Sequence, residues 1–75
     1  MSLITRIGLA LWGERWLAPM ARAVRVDERT VRSWARGRRE VPPGVWRELM
    51  GLLEAHAGNC RALAAEIASR SDTPN

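Results

Sequence analysis

The stretch at residues 17–37 reads LAPMARAVRVDERTVRSWARG, and it decides which fold we expect. It contains two short helical segments separated by Arg25-Val26. Proline at position 19 fits a helix only in the first turn, because its missing N–H has no helical partner there. The first segment therefore begins near Trp16 or Leu17. Its inward face carries four apolar residues at helical spacing: Leu17, Met20, Ala21 and Val24.

The second segment has its own start and stop signals. Asp27 has a side chain that can cap the helix after it. Glu28 then lies in the first turn, where a negative charge is favourable. Gly37 closes the helix, so that it covers residues 28–36. Val31 and Trp34 point inward, and polar residues occupy the opposite side: Glu28, Arg29, Arg32, Ser33 and Arg36.

The flanking sequence is helical in period as well. Ser2 is a plausible cap for a first helix that ends at Gly13. Its apolar positions are Leu3, Ile4, Ile7, Ala10 and Leu11. Proline at position 42 or 43 can open a fourth helix. The apolar stripe of that helix is Val45, Trp46, Leu49, Met50 and Leu53.

Gly58-Asn59 is predicted to break the chain, with Asn59 capping a fifth helix that contains Cys60, Leu63, Ala64 and Ile67. The sequence therefore predicts an all-α fold, a compact bundle of about five short helices. Residues 1–70 form one domain, and residues 71–75 form a frayed tail. We expect Cys60, Leu63 and Ile67 either to face a second copy of the chain or to close the core of the monomer.

The charge is concentrated beside the central stretch. All twelve basic residues are arginine, and the net charge is +4. Residues 22–39 hold seven of these arginines against only Asp27 and Glu28, which gives +5 locally and leaves −1 for the rest. A basic cluster of this kind is the electrostatic footprint of a nucleic-acid-binding protein. Arginine also suits bidentate contacts to phosphate and guanine.

The central stretch resembles the phage-repressor and Cro-type (XRE-like) helix-turn-helix family of small bacterial and phage regulators. Its small residue Ala21, the apolar Val24 and Val26 beside the turn, and RTVRSWARG at residues 29–37 carry the resemblance. It implies an all-α domain that binds operator DNA, often as a dimer, and regulates transcription. The helix at residues 28–36 would enter the major groove.

The resemblance also implies roles by position. Glu28, Arg29, Arg32 and Ser33 match sites that meet base edges; Arg15, Trp16 and Thr30 match sites that meet phosphate. The turn differs from the family pattern, which usually has Gly where this chain has Arg25. A positive φ at Arg25 would cost about 1 kcal/mol or more.

Several residues keep a plain alternative. Glu28 accepts from cytosine or, as we favour, pairs with Arg32 four residues on. Trp16 is either a packed anchor, which we favour, or a phosphate contact. Arg36 reaches phosphate or complements the helix C-terminus. Arg38 and Arg39 track phosphate or form a solvated loop.

The composition also excludes function classes. The sequence has no phosphate-cradling Gly loop, no metal-ligand spacing and no nucleophile with a recognisable base, so we expect no enzyme, metal or cofactor. Cys60 is the single cysteine and cannot form an intrachain disulfide. No segment has the ~20 apolar residues of a membrane span. We expect a cytoplasmic protein without a small-molecule ligand.

We therefore expect a sequence-specific regulator, a repressor in particular, whose partners are double-stranded DNA and a second copy of the chain. A protein-interaction adaptor and a sequence-tolerant architectural DNA binder are the alternatives.

Overall fold

A computed structural model describes residues 1–71 and confirms the all-α class. Four helices follow one another: α1 (Leu3–Trp12), α2 (Leu17–Val24), α3 (Glu28–Ala35) and α4 (Pro43–Ser71). No strand occurs in this part of the chain. The connections between α1, α2 and α3 are short, so these helices pack as close neighbours.

The predicted caps of α1 and α3 are confirmed, whereas Asn59 lies inside α4 and caps no helix. The Oγ atom of Ser2 accepts a hydrogen bond from the backbone N–H of Thr5 at 3.2 Å, at the start of α1. The α1 helix ends at Gly13, which has φ +80°. After α3, Gly37 has φ +74°, and the N–H of Arg38 donates to the carbonyl oxygen of Ser33 at 2.9 Å. These bonds satisfy backbone groups that helix ends otherwise leave without partners.

All four helices contribute to one hydrophobic core. Met20, Val31 and Leu49 are completely buried. The other buried apolar residues are Ile4, Ile7, Trp16, Ala21, Val24, Trp34 and Val45. The prediction that Val31 and Trp34 point inward is thereby confirmed, whereas Met50, predicted in the apolar stripe of α4, is 56% exposed.

The predicted fifth helix is wrong, because α4 continues through Gly58-Asn59 as one helix of 29 residues. Glycine inside a helix costs only about 1 kcal/mol relative to alanine. The flanking residues are rich in Ala, Leu and Glu, which favour a helix and offset that cost. Every residue from 54 to 70 is exposed, so no packed surface favours a turn there.

The expected compactness is also wrong. The molecule measures 55 × 22 × 20 Å, and its radius of gyration is 15.9 Å. A compact domain of this length has a radius of gyration of about 11 Å. We call residues 1–53, which contain the core, the body, and residues 54–70, which extend from it as the end of α4, the arm. Of the predicted tail, Ser71 ends α4, and residues 72–75 lie outside the described residues.

The α1 helix contacts the start of α2 where the ring of Trp16 packs directly on Gly8. Trp16 is 8% exposed. Its ring occupies the space where a side chain on Gly8 would be, so that a Cβ atom there would overlap the ring. A residue without a side chain is therefore required at position 8 for α1 to approach the start of α2.

The turn after α2 places a non-glycine residue in a left-handed conformation. Arg25 has φ 61° and ψ 49°. This backbone lets the N–H of Val26 donate to the carbonyl oxygen of Ala21 at 2.9 Å. The positive φ considered from the sequence is thus observed, and it carries the steric cost expected for a residue with a Cβ atom.

We expect Gly8→Ala to lower the free energy of unfolding by about 1–3 kcal/mol, because overlap with the Trp16 ring outweighs the better helix propensity of alanine. Gly51→Ala is the matched control. A Cβ atom at position 51 meets nothing within 4 Å, so this change should stabilise by about 0.5–1 kcal/mol. Urea unfolding of both variants measures the difference, and equal effects would contradict the close packing of Trp16 on Gly8.

We expect Arg25→Gly to raise the free energy of unfolding by up to about 1 kcal/mol, since glycine adopts the left-handed conformation without steric cost. The lost contact to Glu48, at 3.9 Å between exposed side chains, should matter little. Arg25→Ala keeps a Cβ atom and serves as the control. A gain in thermal stability with alanine equal to that with glycine would show that the conformation is not the cause.

Candidate nucleic-acid interface

The exposed side of α3 carries most of the predicted base-contact residues. Glu28, Arg29 and Arg32 are exposed, and Ser33 is half-buried. They lie around the helix on the side away from Val31 and Trp34, because residues three and four apart share a helix face. The structure therefore brings the four predicted base-contact residues together on one short, solvent-facing helix surface.

The start of α3 is fixed by Asp27. Its carboxylate accepts a hydrogen bond from the backbone N–H of Thr30 at 2.8 Å. Hydrogen bonds from the hydroxyl and the N–H of Thr30 lower the pKa of Asp27, and the positive charges of Arg29 and Arg39 lower it further. Both the backbone N–H and the hydroxyl of Thr30, a predicted phosphate contact, are thus engaged with Asp27 in the free protein, so we leave Thr30 out of the groups offered to phosphate.

Glu28 and Arg32 form the ion pair favoured from the sequence. The Oε1 atom of Glu28 lies 4.0 Å from an Nη atom of Arg32, and about half of each side chain is exposed. Such a pair contributes about 0.2–0.5 kcal/mol. A contact this weak restrains Arg32 in the free protein and can be exchanged for a stronger contact to a base or a phosphate.

The connection between α1 and α2 lies beside the first turn of α3. An open groove of about 320 Å³ is lined by Glu14, Arg15, Leu17, Ala18 and Glu28. It places Arg15, a predicted phosphate contact, close to Glu28, a predicted base contact. Arg15 is exposed, so its guanidinium group is available on this side of the body.

Trp16 requires a correction to the predicted phosphate-contact set. Its side chain is buried in the core and lies on Gly8. An indole held in this way acts as the packed anchor that was the favoured interpretation. We therefore remove its side chain from the set of groups offered to DNA.

The remaining predicted phosphate contacts follow α3. Arg36, Arg38 and Arg39 are all exposed. Arg39 is also close enough to the start of α3 to lower the pKa of Asp27. The sequence contained no signal for this, because the path of a loop depends on tertiary contacts.

The three residues predicted for a dimer interface lie on the arm. Leu63 and Ile67 are 51% and 65% exposed, and Cys60 is exposed and not in a disulfide. These residues do not close the core of the monomer, which was the alternative for them. The thiol of Cys60 lies 3.7 Å from the Nε2 atom of His56, one turn earlier on the helix.

Within residues 1–71, no group of three or more His, Cys, Asp or Glu side chains is placed to hold a metal ion. None of the four described helices is long and apolar enough to cross a membrane. No buried polar or charged side chain occurs in the described core. The charged groups of the body are therefore displayed on its surface, where α3 and its flanking loops are the most basic part.

No family model, curated protein or solved structure matches this chain. Its function is therefore inferred from its own residues.

We expect the Asp27 cap to make stability depend on pH. A pKa lowered in the folded state means that the charged carboxylate stabilises the fold above its ordinary value of 3.8, and that this contribution is lost as the pH falls through the lowered value. Asp27→Asn, which can still cap but has no charge, should unfold more easily than the wild type at neutral pH and approach it in acid. Urea titrations across this range measure the difference.

Asp27→Ala removes the cap altogether and should be less stable than Asp27→Asn at every pH. A gap between wild type and Asp27→Asn that stays constant with pH would show that the charge of Asp27 does not stabilise the fold.

Proposed function

We propose that this chain is a sequence-specific double-stranded DNA-binding regulator, and that α2 and α3 act as a helix-turn-helix of the phage-repressor type. The observation that supports it best is the outward face of α3, where Arg29 and Arg32 are exposed on a helix anchored by two buried side chains. An exposed helix with arginines at this spacing fits the major groove of B-DNA.

Two groups of side chains have different tasks in this proposal. Arg29 and Arg32, with Ser33 and Glu28, read base edges; an arginine here donates to the O6 and N7 atoms of guanine. Arg15, Arg36, Arg38 and Arg39 contact phosphates and supply affinity by releasing counterions. Formation of the base contact frees Arg32 from Glu28, at a cost of about 0.2–0.5 kcal/mol.

We propose that the regulator acts as a homodimer and represses transcription. One α3 helix spans only a few base pairs, so a monomer discriminates poorly among genomic sites. Two copies reading half-sites about 34 Å apart double the number of specific contacts. A protein bound across a promoter in this way blocks it without needing a further activity, which is why repression is the simplest outcome.

The test starts with duplexes selected by the wild-type protein from a randomised pool. The variant Arg29→Ala/Arg32→Ala should lose about 1–3 kcal/mol of discrimination for each base contact removed, so that selected and scrambled duplexes bind nearly alike. Fluorescence anisotropy at about 50 and 200 mM salt separates this loss from the phosphate-driven part of the affinity. Circular dichroism verifies that the fold persists.

Arg6→Ala/Arg61→Ala is the matched control. Both arginines are exposed and lie outside α3 and its flanking loops, so the control has the same change in net charge but should keep the selectivity of the wild type. Selectivity that survives in Arg29→Ala/Arg32→Ala, together with lost affinity in Arg38→Ala/Arg39→Ala, would favour an architectural DNA binder. Failure to enrich any duplex would leave the adaptor as the better proposal.

A further inference from the structure

The spacing of the apolar residues along α4 stays the same from the body into the arm. Starting at Trp46, one row of positions recurs at alternating spacings of three and four residues, and each of them except His56 is apolar: Trp46, Leu49, Leu53, His56, Cys60, Leu63 and Ile67. Residues spaced in this way form one stripe along a helix and are the a and d positions of a coiled coil. We call the arm residues of this stripe, His56, Cys60, Leu63 and Ile67, the arm seam.

The surface area of the chain is larger than that of a compact protein of the same mass. The chain exposes 5721 Å², whereas a compact protein of 8.4 kDa exposes about 4,600 Å². The excess of about 1,100 Å² is larger than the ~800 Å² that each partner buries in a standard stable interface. The extended arm is the part of the described chain that departs from a compact shape.

We propose that the arm seam pairs with the arm seam of a second copy in an antiparallel, two-stranded coiled coil. This inference rests on the homodimer of the proposed function, to which it adds the orientation and the register of the two helices.

The position of the body selects the antiparallel orientation. Val45 and Leu49 are buried in the body, and Leu53 packs against the same core. The body therefore covers the stripe immediately before the arm. In a parallel pair the two helix axes would lie about 8–10 Å apart, and each body, which is some 20 Å thick, would overlap the partner's body. An antiparallel pair places each body at the end of the partner's arm.

The length of the arm selects the register. Among the registers that pair an a position with a d position, the one centred between Cys60 and Leu63 gives the longest overlap of the two arms. Cys60 then faces the partner's Leu63, and His56 faces the partner's Ile67. On one flank Ala57 faces the partner's Ala64, and these small side chains allow the helices to approach closely.

Charge favours the same arrangement. A parallel pair in register would place each Arg70 opposite the partner's Arg70, at the d position that follows Ile67. Like charges that face each other destabilise such a pair. The antiparallel register separates the two Arg70 residues and brings Asn59 beside the partner's Glu66, where the amide can donate to the carboxylate.

The register also sets the distance between the two bodies. The centre of the antiparallel pair lies midway between Cys60 and Leu63, so each Leu49 is about 12.5 residues from it. The two Leu49 residues, one in each body, are therefore separated by about 25 residues along the axis of the pair. At a rise of about 1.5 Å per residue this is about 37 Å.

The first measurement is the mass of the full chain without DNA, by sedimentation equilibrium over a range of concentrations. Leu63→Glu introduces a charge into two layers of the seam and should weaken dimerisation by about tenfold or more. Ala65→Glu adds the same charge on the opposite face of the arm and should dimerise like the wild type. Leu63 is 51% exposed, so the body should remain folded in both variants, as circular dichroism can verify.

The second measurement identifies the register by disulfide cross-linking. Two variants are prepared in a Cys60→Ala chain, one with His56→Cys and one with Ile67→Cys, and one of them carries a size tag. In the proposed register the two new cysteines face each other only in the mixed dimer. Like cysteines would be about 16 Å apart along the axis, beyond the ~7 Å that a disulfide can bridge. The mixed cross-link should therefore dominate.

A wild-type chain that stays monomeric at high micromolar concentration would overturn the proposal, and cross-links between like cysteines would overturn its orientation. Neither measurement contains DNA, so their failure is distinct from the failure of DNA recognition. A dimer that cross-links as expected but enriches no duplex would refute the proposed function and leave the antiparallel arm pair standing.

Discussion

The burial of two side chains holds α3 on the body with its polar side exposed to solvent. Val31 and Trp34 are the only buried residues of this eight-residue helix. A helix this short is unstable alone, and its stability has to come from packing one apolar stripe against a core. Because the stripe is narrow, most of the polar side chains of α3 are left exposed to solvent.

The arginines on and around this exposed surface repel one another, and the local structure reduces that repulsion. The seven arginines of residues 22–39 repel one another, and only Asp27 and Glu28 oppose them. Asp27 lies at the start of α3, where its carboxylate caps the helix and faces positive charge from Arg29 and Arg39. The left-handed Arg25 adds conformational cost next to this region. Strain and repulsion are thus concentrated around α3, and a bound polyanion would relieve the repulsion.

The sequence allowed the body to be predicted because its signals are local. Ser2, Asp27, Gly13 and Gly37 act within one helical turn of their own positions, and the inward residues of α2 and α3 follow from a period of 3.6. The contact of Trp16 with Gly8 was not predictable, because it depends on how two helices pack in three dimensions and leaves no periodic pattern in the sequence. The single helix through Gly58-Asn59 was missed for a different reason. A weak break signal ends a helix only if tertiary contacts favour the turn, and the exposed arm has none.

The proposed dimer would explain how so small a body can serve as a selective binder. A core of ten buried apolar residues can hold one short helix in place, but the body leaves little surface for a dimer contact that would not compete with α3. Extending α4 beyond the body would move the proposed pairing surface, the arm seam, away from the basic cluster. In this proposal dimerisation and DNA binding use separate residues, so each can be weakened by substitution without loss of the other. In one compact bundle, the same few helices would have to carry both surfaces.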